Sequence, residues 1–265
     1  MDLRGSGVVV TGAGQGIGRA IATRMAAEGA RVVVNDLDAA AASVVADQIG
    51  GHAIPGNAAT DVGVAALVDG AREHLRGVDI YFANAGVDIG TGLETSARDW
   101  AKALDVNLMA HVRAAQRLVP TWLDNAGGRF VVTASAAGLL TMLGSAPYSV
   151  TKHAAVAFAE WLSATYGHRG VVVQAICPQG VRTAMLDNAG PLQELLSHDT
   201  ALEPEQVAES VFQGLQDDRF LILPHPEVKE YYERRAADTD RWLAGMRKLQ
   251  SRLDQHGSGS RRSSR

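Results

Sequence analysis

The chain has 265 residues, 46% of them hydrophobic and 20% charged, with a formal net charge of −4. That is enough apolar material for one sizeable core without metals or disulfides, and too little net charge to argue for nucleic acid as a partner. Cys177 is the single cysteine, which rules out an intramolecular disulfide; at the end of an apolar run it reads as a buried structural thiol.

At the N-terminus only Val8, Val9 and Val10 run together, too short for a signal-peptide core, and no stretch approaches the roughly 18 apolar residues of a membrane span. The expectation is a cytoplasmic protein with no membrane partner. Strand candidates then follow at Val32–Val34, His52–Ile54, Ile80–Phe82, Phe130–Val132, Val171–Val173 and Phe220–Leu223. Between them lie Ala-rich helical segments, including Ile17–Gly29 and Asp38–Ile49. Consecutive apolar positions suit strands covered on both faces, and strands alternating with helices imply a parallel sheet. The expected fold is α/β, a doubly wound, Rossmann-like parallel sheet of about seven strands in a single domain, residues 1–255. A break in the rhythm at 183–204 reads as a lid, and residues 256–265, rich in Gly, Ser and Arg, as a disordered tail.

Directly after the first strand stands Thr11-Gly12-Ala13-Gly14-Gln15-Gly16-Ile17-Gly18. Glycines there permit a tight turn and close approach of backbone to a pyrophosphate, held at the start of a helix where free N–H groups favour an anion. A purely structural turn is the alternative; the position between strand and helix favours the cofactor. Asp36 follows the second strand, where a carboxylate accepts hydrogen bonds from both ribose hydroxyls and repels a 2′-phosphate. Neither Gln15 nor Leu37 offers a compensating positive charge, so NAD is expected over NADP. Capping of the next helix is the competing role for Asp36, one that Asp38 can fill instead.

Together with Asn84-Ala85-Gly86, Asn107 within Asp105-Val106-Asn107-Leu108, Ser135, Tyr148-Ser149-Val150-Thr151-Lys152 and Pro178-Gln179-Gly180-Val181-Arg182-Thr183, the sequence resembles the short-chain dehydrogenase/reductase family over nearly its whole length. The resemblance implies a catalytic tetrad of Asn107, Ser135, Tyr148 and Lys152. It implies cofactor contacts from Gly12, Gln15, Gly16, Ile17, Gly18, Asp36 and Leu37, from Asn57 and Ala58, and from Asn84, Ala85 and Gly86. Tyr148, Lys152, Pro178, Gly180, Val181 and Thr183 complete that set. Two departures stand out: Asn57 where the family usually has Asp, and Gln179 in place of a usual glycine.

Tyr148 and Lys152 are four residues apart and share one face of a helix. An ammonium about 5 Å from the phenol, at an effective dielectric of about 20, favours phenolate by roughly 3 kcal/mol, or about two pKa units. Such a phenol removes an alcohol proton as hydride leaves, or donates one in reduction, with Ser135 holding the substrate oxygen. Asn107 is read as a water-holding link between Lys152 and solvent.

Leu139, Leu140, Thr141, Met142 and Leu143, with Met185, Leu186, Leu192, Leu195 and Leu196, form an expected apolar pocket for a neutral secondary alcohol or ketone. Tyr231 and Tyr232 are read as structural. The eight histidines are scattered without ligand spacing, so no metal is assigned. Ala-rich stretches at Trp100–Leu123 and Ala154–Ser163 resemble the helices that the family pairs between subunits, which implies a homotetramer or homodimer. The competing functions are an NAD-binding sensor on the same fold and a biosynthetic ketoreductase; an intact Tyr/Lys pair weighs against the sensor.

Overall fold

In the computed structural model, which describes residues 2–125, 127–187 and 201–260, the valine runs become the central strands of a seven-stranded parallel sheet. In chain order these are β1 (Gly7–Thr11), β2 (Arg31–Asn35), β3 (His52–Ala53), β4 (Ile80–Ala83), β5 (Gly128–Thr133), β6 (Val171–Ile176) and β7 (Leu221–Ile222). Their spatial order is β3-β2-β1-β4-β5-β6-β7. Successive valines face opposite sides: Val9 and Val33 enter one core, Val8, Val10, Val32 and Val34 the other. A β-branched residue at every position is therefore useful, because neither face meets water.

Helices α1 (Gly16–Ala27) and α2 (Ala39–Ile49) cover one face. On the other lie α3 (Asp61–Leu75), α5 (Ala110–Leu123) and α7 (Ala146–Tyr166). The intervening elements are α4 (Ala97–Leu104) and the short α6 (Ala137–Leu140). After β6 come the short α8 (Ala184–Asp187) and α9 (Pro204–Asp217), which joins α1 on its face. Two further helices, α10 (Glu227–Ala237) and α11 (Thr239–Ser260), follow β7. α11 continues through Gly257–Ser260, into the stretch read from sequence as a tail; residues 261–265 lie outside the described residues, as does 188–200, most of the expected lid.

The chain crosses from one face to the other between β1 and β4, and a crevice opens there at the carboxyl ends of the strands. The glycine turn, Asn84 and Ser135 all follow strands that end on this edge. No helix among the described residues is long and apolar enough to cross a membrane.

Candidate active site

Between β1 and α1 the chain turns through Gly12–Gln15. Gln15 is the N-cap of α1 and makes no side-chain capping bond, so the first-turn amides remain available to an anion. Asn84, just beyond β4, clamps the turn: its Nδ2 donates to the Thr11 carbonyl (2.9 Å) and the Gly12 carbonyl (3.2 Å). Thr11 Oγ1 in turn accepts from the amides of Asn84 and Ala85. A Cβ on Gly18 would stand 2.2 Å from the Gly12 oxygen and 2.5 Å from Asn84 Nδ2, so only glycine lets the helix lie so close to the strand.

Asp36 extends from β2 into the same crevice, accepting from the amides of Gly14 (2.9 Å) and Asp38 (3.1 Å). Asp38, and not Asp36, caps α2 through the amides of Ala40 and Ala41. Leu37 beside it is exposed. Asn57 turns its amide oxygen onto the Ala59 amide (3.0 Å), so that oxygen holds the local turn. Pro178, Gly180, Val181 and Thr183 form the opposite wall. All the residues expected on the cofactor side, with Ser135, line one continuous cleft of about 1230 Å³. An open helix N-terminus, a carboxylate at the far wall and this volume fit a dinucleotide lying beside a substrate.

At the other end of the cleft, α7 begins at Pro147 in its first turn and presents Tyr148 and Lys152 on one face. Lys152 Nζ donates to the Thr133 carbonyl at the end of β5 (2.8 Å) and lies 5.6 Å from the centre of the Tyr148 ring. A Cβ on Gly86 would come within 3.2 Å of that nitrogen, so a larger residue there would press on Lys152. Ser135 Oγ accepts from the Ala137 amide (3.1 Å) and donates to the Pro178 carbonyl (3.4 Å), and its hydroxyl lies near enough to Tyr148 to favour the phenolate.

The charge balance differs from the one expected. Burial pushes the Tyr148 phenol up to about 12, with the Ser135 hydroxyl opposing and the Asp88 carboxylate adding to the rise. Burial also pushes Lys152 down to about 8. Removal from water is the largest cause for both groups, and Lys152 places its hydrogen bond on the sheet. The phenol is thus protonated at neutral pH. Asn107 is fully buried in a π-turn, Asp105–Met109. Its oxygen accepts from the Val87 amide (2.8 Å) and its Nδ2 donates to the Val87 carbonyl (2.9 Å) and Thr151 Oγ1 (2.9 Å). It ties the loop after β4 to α7, and does not line the cleft.

The family described as short chain dehydrogenase matches residues 6–193. The chain belongs to that family. A 1-deoxy-11-beta-hydroxypentalenate dehydrogenase of Streptomyces avermitilis is 32% identical over 238 residues, covering 86% of this chain and 88% of the relative. A cyclohexanol dehydrogenase of an Acinetobacter species is 31% identical over 223 residues, 81% of this chain and 89% of the relative. Among solved structures, a short chain dehydrogenase/reductase from Burkholderia phymatum in complex with NAD superposes with a TM-score of 0.83 at 29% identity, covering 91% of this chain and 96% of that one.

In this short chain dehydrogenase the substrate end of the cleft differs from the sequence expectation in two ways. Leu140, Thr141, Met142, Leu143, Met185 and Leu186 line it, but Leu139 turns inward from the short α6 and joins the core. Leu192, Leu195 and Leu196 lie outside the described residues. The C-terminal helices supply walls that sequence reasoning missed: Tyr231 from α10, and Trp242, Met246 and Leu249 from α11. The spacing of the last three, on one helical face, was the available signal. Asp88, two residues past the Asn84-Ala85-Gly86 motif, also faces the cleft. Arg182 lines it too, but is paired with Glu203 (2.9 Å). His153 points away, toward Ser149 and Arg235. Cys177 is buried and free. No group of three His, Cys, Asp or Glu among the described residues is placed to hold a metal ion.

Proposed function

We propose that the dehydrogenase is NAD-dependent and interconverts a secondary alcohol and a ketone, the substrate being neutral and largely hydrophobic. One observation carries the reading: Tyr148 and Ser135, with Lys152 behind them, open onto the same cleft as the glycine turn and Asp36. The open first turn of α1, with Gly12, Gln15, Gly16, Ile17 and Gly18, would hold the pyrophosphate, and Asp36 the adenosine ribose. Ala58, Asn84, Ala85 and Gly86 would flank the adenosine side, while Pro178, Gly180, Val181 and Thr183 would meet the nicotinamide side. When bound, NAD supplies the hydride acceptor and NADH the donor.

The remaining chemistry belongs to the protein. Ser135 donates to the substrate oxygen and sets it beside the Tyr148 hydroxyl. In reduction Tyr148 passes its proton to that oxygen; in oxidation its ionised form takes the alcohol proton as the C–H bond breaks. A phenol held near 12 suits the first direction at neutral pH, and oxidation gains as pH rises. Lys152 keeps positive charge beside the phenol, and Asn107 holds the loop that carries Gly86 and Val87. Apolar walls from Leu140, Met142, Leu143, Met185, Trp242 and Met246 favour a hydrophobic body.

A relative named for cyclohexanol supports this class of substrate. A panel of secondary alcohols with NAD and NADP, followed by absorbance of the reduced cofactor at pH 7 and pH 9, tests it. The expected result is turnover with NAD at least tenfold more efficient in kcat/KM than with NADP, and faster at pH 9. A preference for NADP contradicts the role of Asp36; no turnover with tight NADH binding favours a sensor.

Exposed Val150 and Trp161 on α7 support pairing of that helix between subunits, and a homotetramer or homodimer is the assembly proposed. A sedimentation mass of four or two chains is expected; a monomer overturns it. A single buried thiol suits the reducing cytoplasm, where we place the enzyme.

A further inference from the structure

Asp88 is an exposed carboxylate lining the cleft, and nothing in the hydride transfer above uses it. It lies in the loop after β4, which Asn107 pins at Val87 through two hydrogen bonds. Ser145, buried at the N-cap of α7 three residues before Tyr148, leaves the helix amides uncapped and instead donates its hydroxyl to Asp88 Oδ1 (2.7 Å). The second oxygen, Oδ2, accepts no hydrogen bond from the described residues. So one oxygen of this exposed, cleft-lining carboxylate is tethered, and the other is left to accept from a molecule beside it.

Position narrows what this acceptor meets. Asp88 is close enough to the reacting groups for its charge to raise both Tyr148 and Lys152. An anionic substituent on the substrate would be repelled by Asp88, and an ammonium would stand against Lys152. A neutral hydroxyl avoids both penalties and offers the donor that the open oxygen lacks. We propose that Asp88 is a specificity-determining residue that binds a second hydroxyl close to the reacting carbon, so that the preferred substrates are vicinal diols and α-hydroxyketones with an apolar body. This rests on the alcohol–ketone reading above. Chemically, one carbinol loses hydride to NAD and its proton to the ionised form of Tyr148; the neighbouring hydroxyl keeps its O–H bond and donates to Asp88.

The test compares kcat/KM for cis- and trans-1,2-cyclohexanediol with that for cyclohexanol, in wild type and Asp88→Asn. Asparagine retains an oxygen for Ser145 and turns the cleft-facing acceptor into a donor. The diol-to-monool ratio cancels any effect of the lost charge on Tyr148 and Lys152, since that effect is common to both substrates. Wild type is expected to favour one diol by tenfold or more, the scale of a hydrogen bond to a charged group, and Asp88→Asn to bring the ratio close to one. Ser145→Ala, which releases the tether, should lower the same ratio by a smaller factor. A wild type with no diol preference, or a ratio unchanged in Asp88→Asn, overturns the proposal while leaving the dehydrogenase reading intact. Absence of turnover on all three alcohols in wild type that binds NADH overturns the broader reading, and this one with it.

Discussion

Tyr148 shows what the spacing of a phenol and an ammonium on a helix does and does not determine. Their i, i+4 spacing places both side chains on one face, and the 5.6 Å separation from ammonium to ring agrees with that simple geometry. The protonation state depends on desolvation and on Asp88, a residue 60 positions away in sequence, which helical spacing does not reveal. His111 is a second case. Among scattered histidines it has no distinguishing motif, yet the fold buries it fully on α5 with Nε2 unpartnered, beside Thr11, Tyr81 and Ala85. Burial, helped by the charge of Lys152, pushes its imidazole from 6.5 down to about 3. The folded chain therefore favours the neutral ring. That stabilisation is complete above pH 6.5 and is lost as pH falls toward 3, with an upper limit on the order of 5 kcal/mol. His111→Phe should match wild type in denaturant unfolding at pH 8 to within about 1 kcal/mol, and lose less stability between pH 6.5 and 4. Parallel losses in the two proteins would rule His111 out as the acid-sensitive group.

Among elements, those whose burial is symmetric are the most legible. Val8–Val10 and Val32–Val34 are strands because each residue has a core on its own side, and the apolar run records this directly. Asn84, Ser135 and the glycine turn were legible as a site because each ends a strand on the same edge of the sheet. The C-terminal helices were not legible as part of the cleft. Tyr231, Trp242, Met246 and Leu249 sit in a charged segment, and only the packing of α10 and α11 beyond β7 shows where their apolar face goes. Trp242 packs against Tyr231, ring centres 6.5 Å apart, over the substrate end. Trp242→Ala should lower kcat/KM for hydrophobic alcohols about tenfold, as expected from losing an aromatic wall, through a higher KM. NADH affinity should be unchanged; a matching loss of NADH binding would mean that the arm supports the fold and not the substrate.

The whole molecule places two separately built ends in one cleft. The sheet order β3-β2-β1-β4 opens the crevice, α1 and β2 furnish one end, and α7 with the C-terminal helices furnishes the other. In the proposed reading, the proton of the reaction passes through one phenol in that continuous space, Tyr148, protonated for reduction and ionised for oxidation. The most direct test is Tyr148→Phe, which removes the hydroxyl and keeps the ring, assayed for alcohol oxidation alongside NADH binding by fluorescence. The account predicts that kcat falls by 10³-fold or more, a loss in the range of a general acid–base contribution, while the affinity for NADH stays within about threefold. Turnover at the wild-type rate with the phenol gone would contradict it.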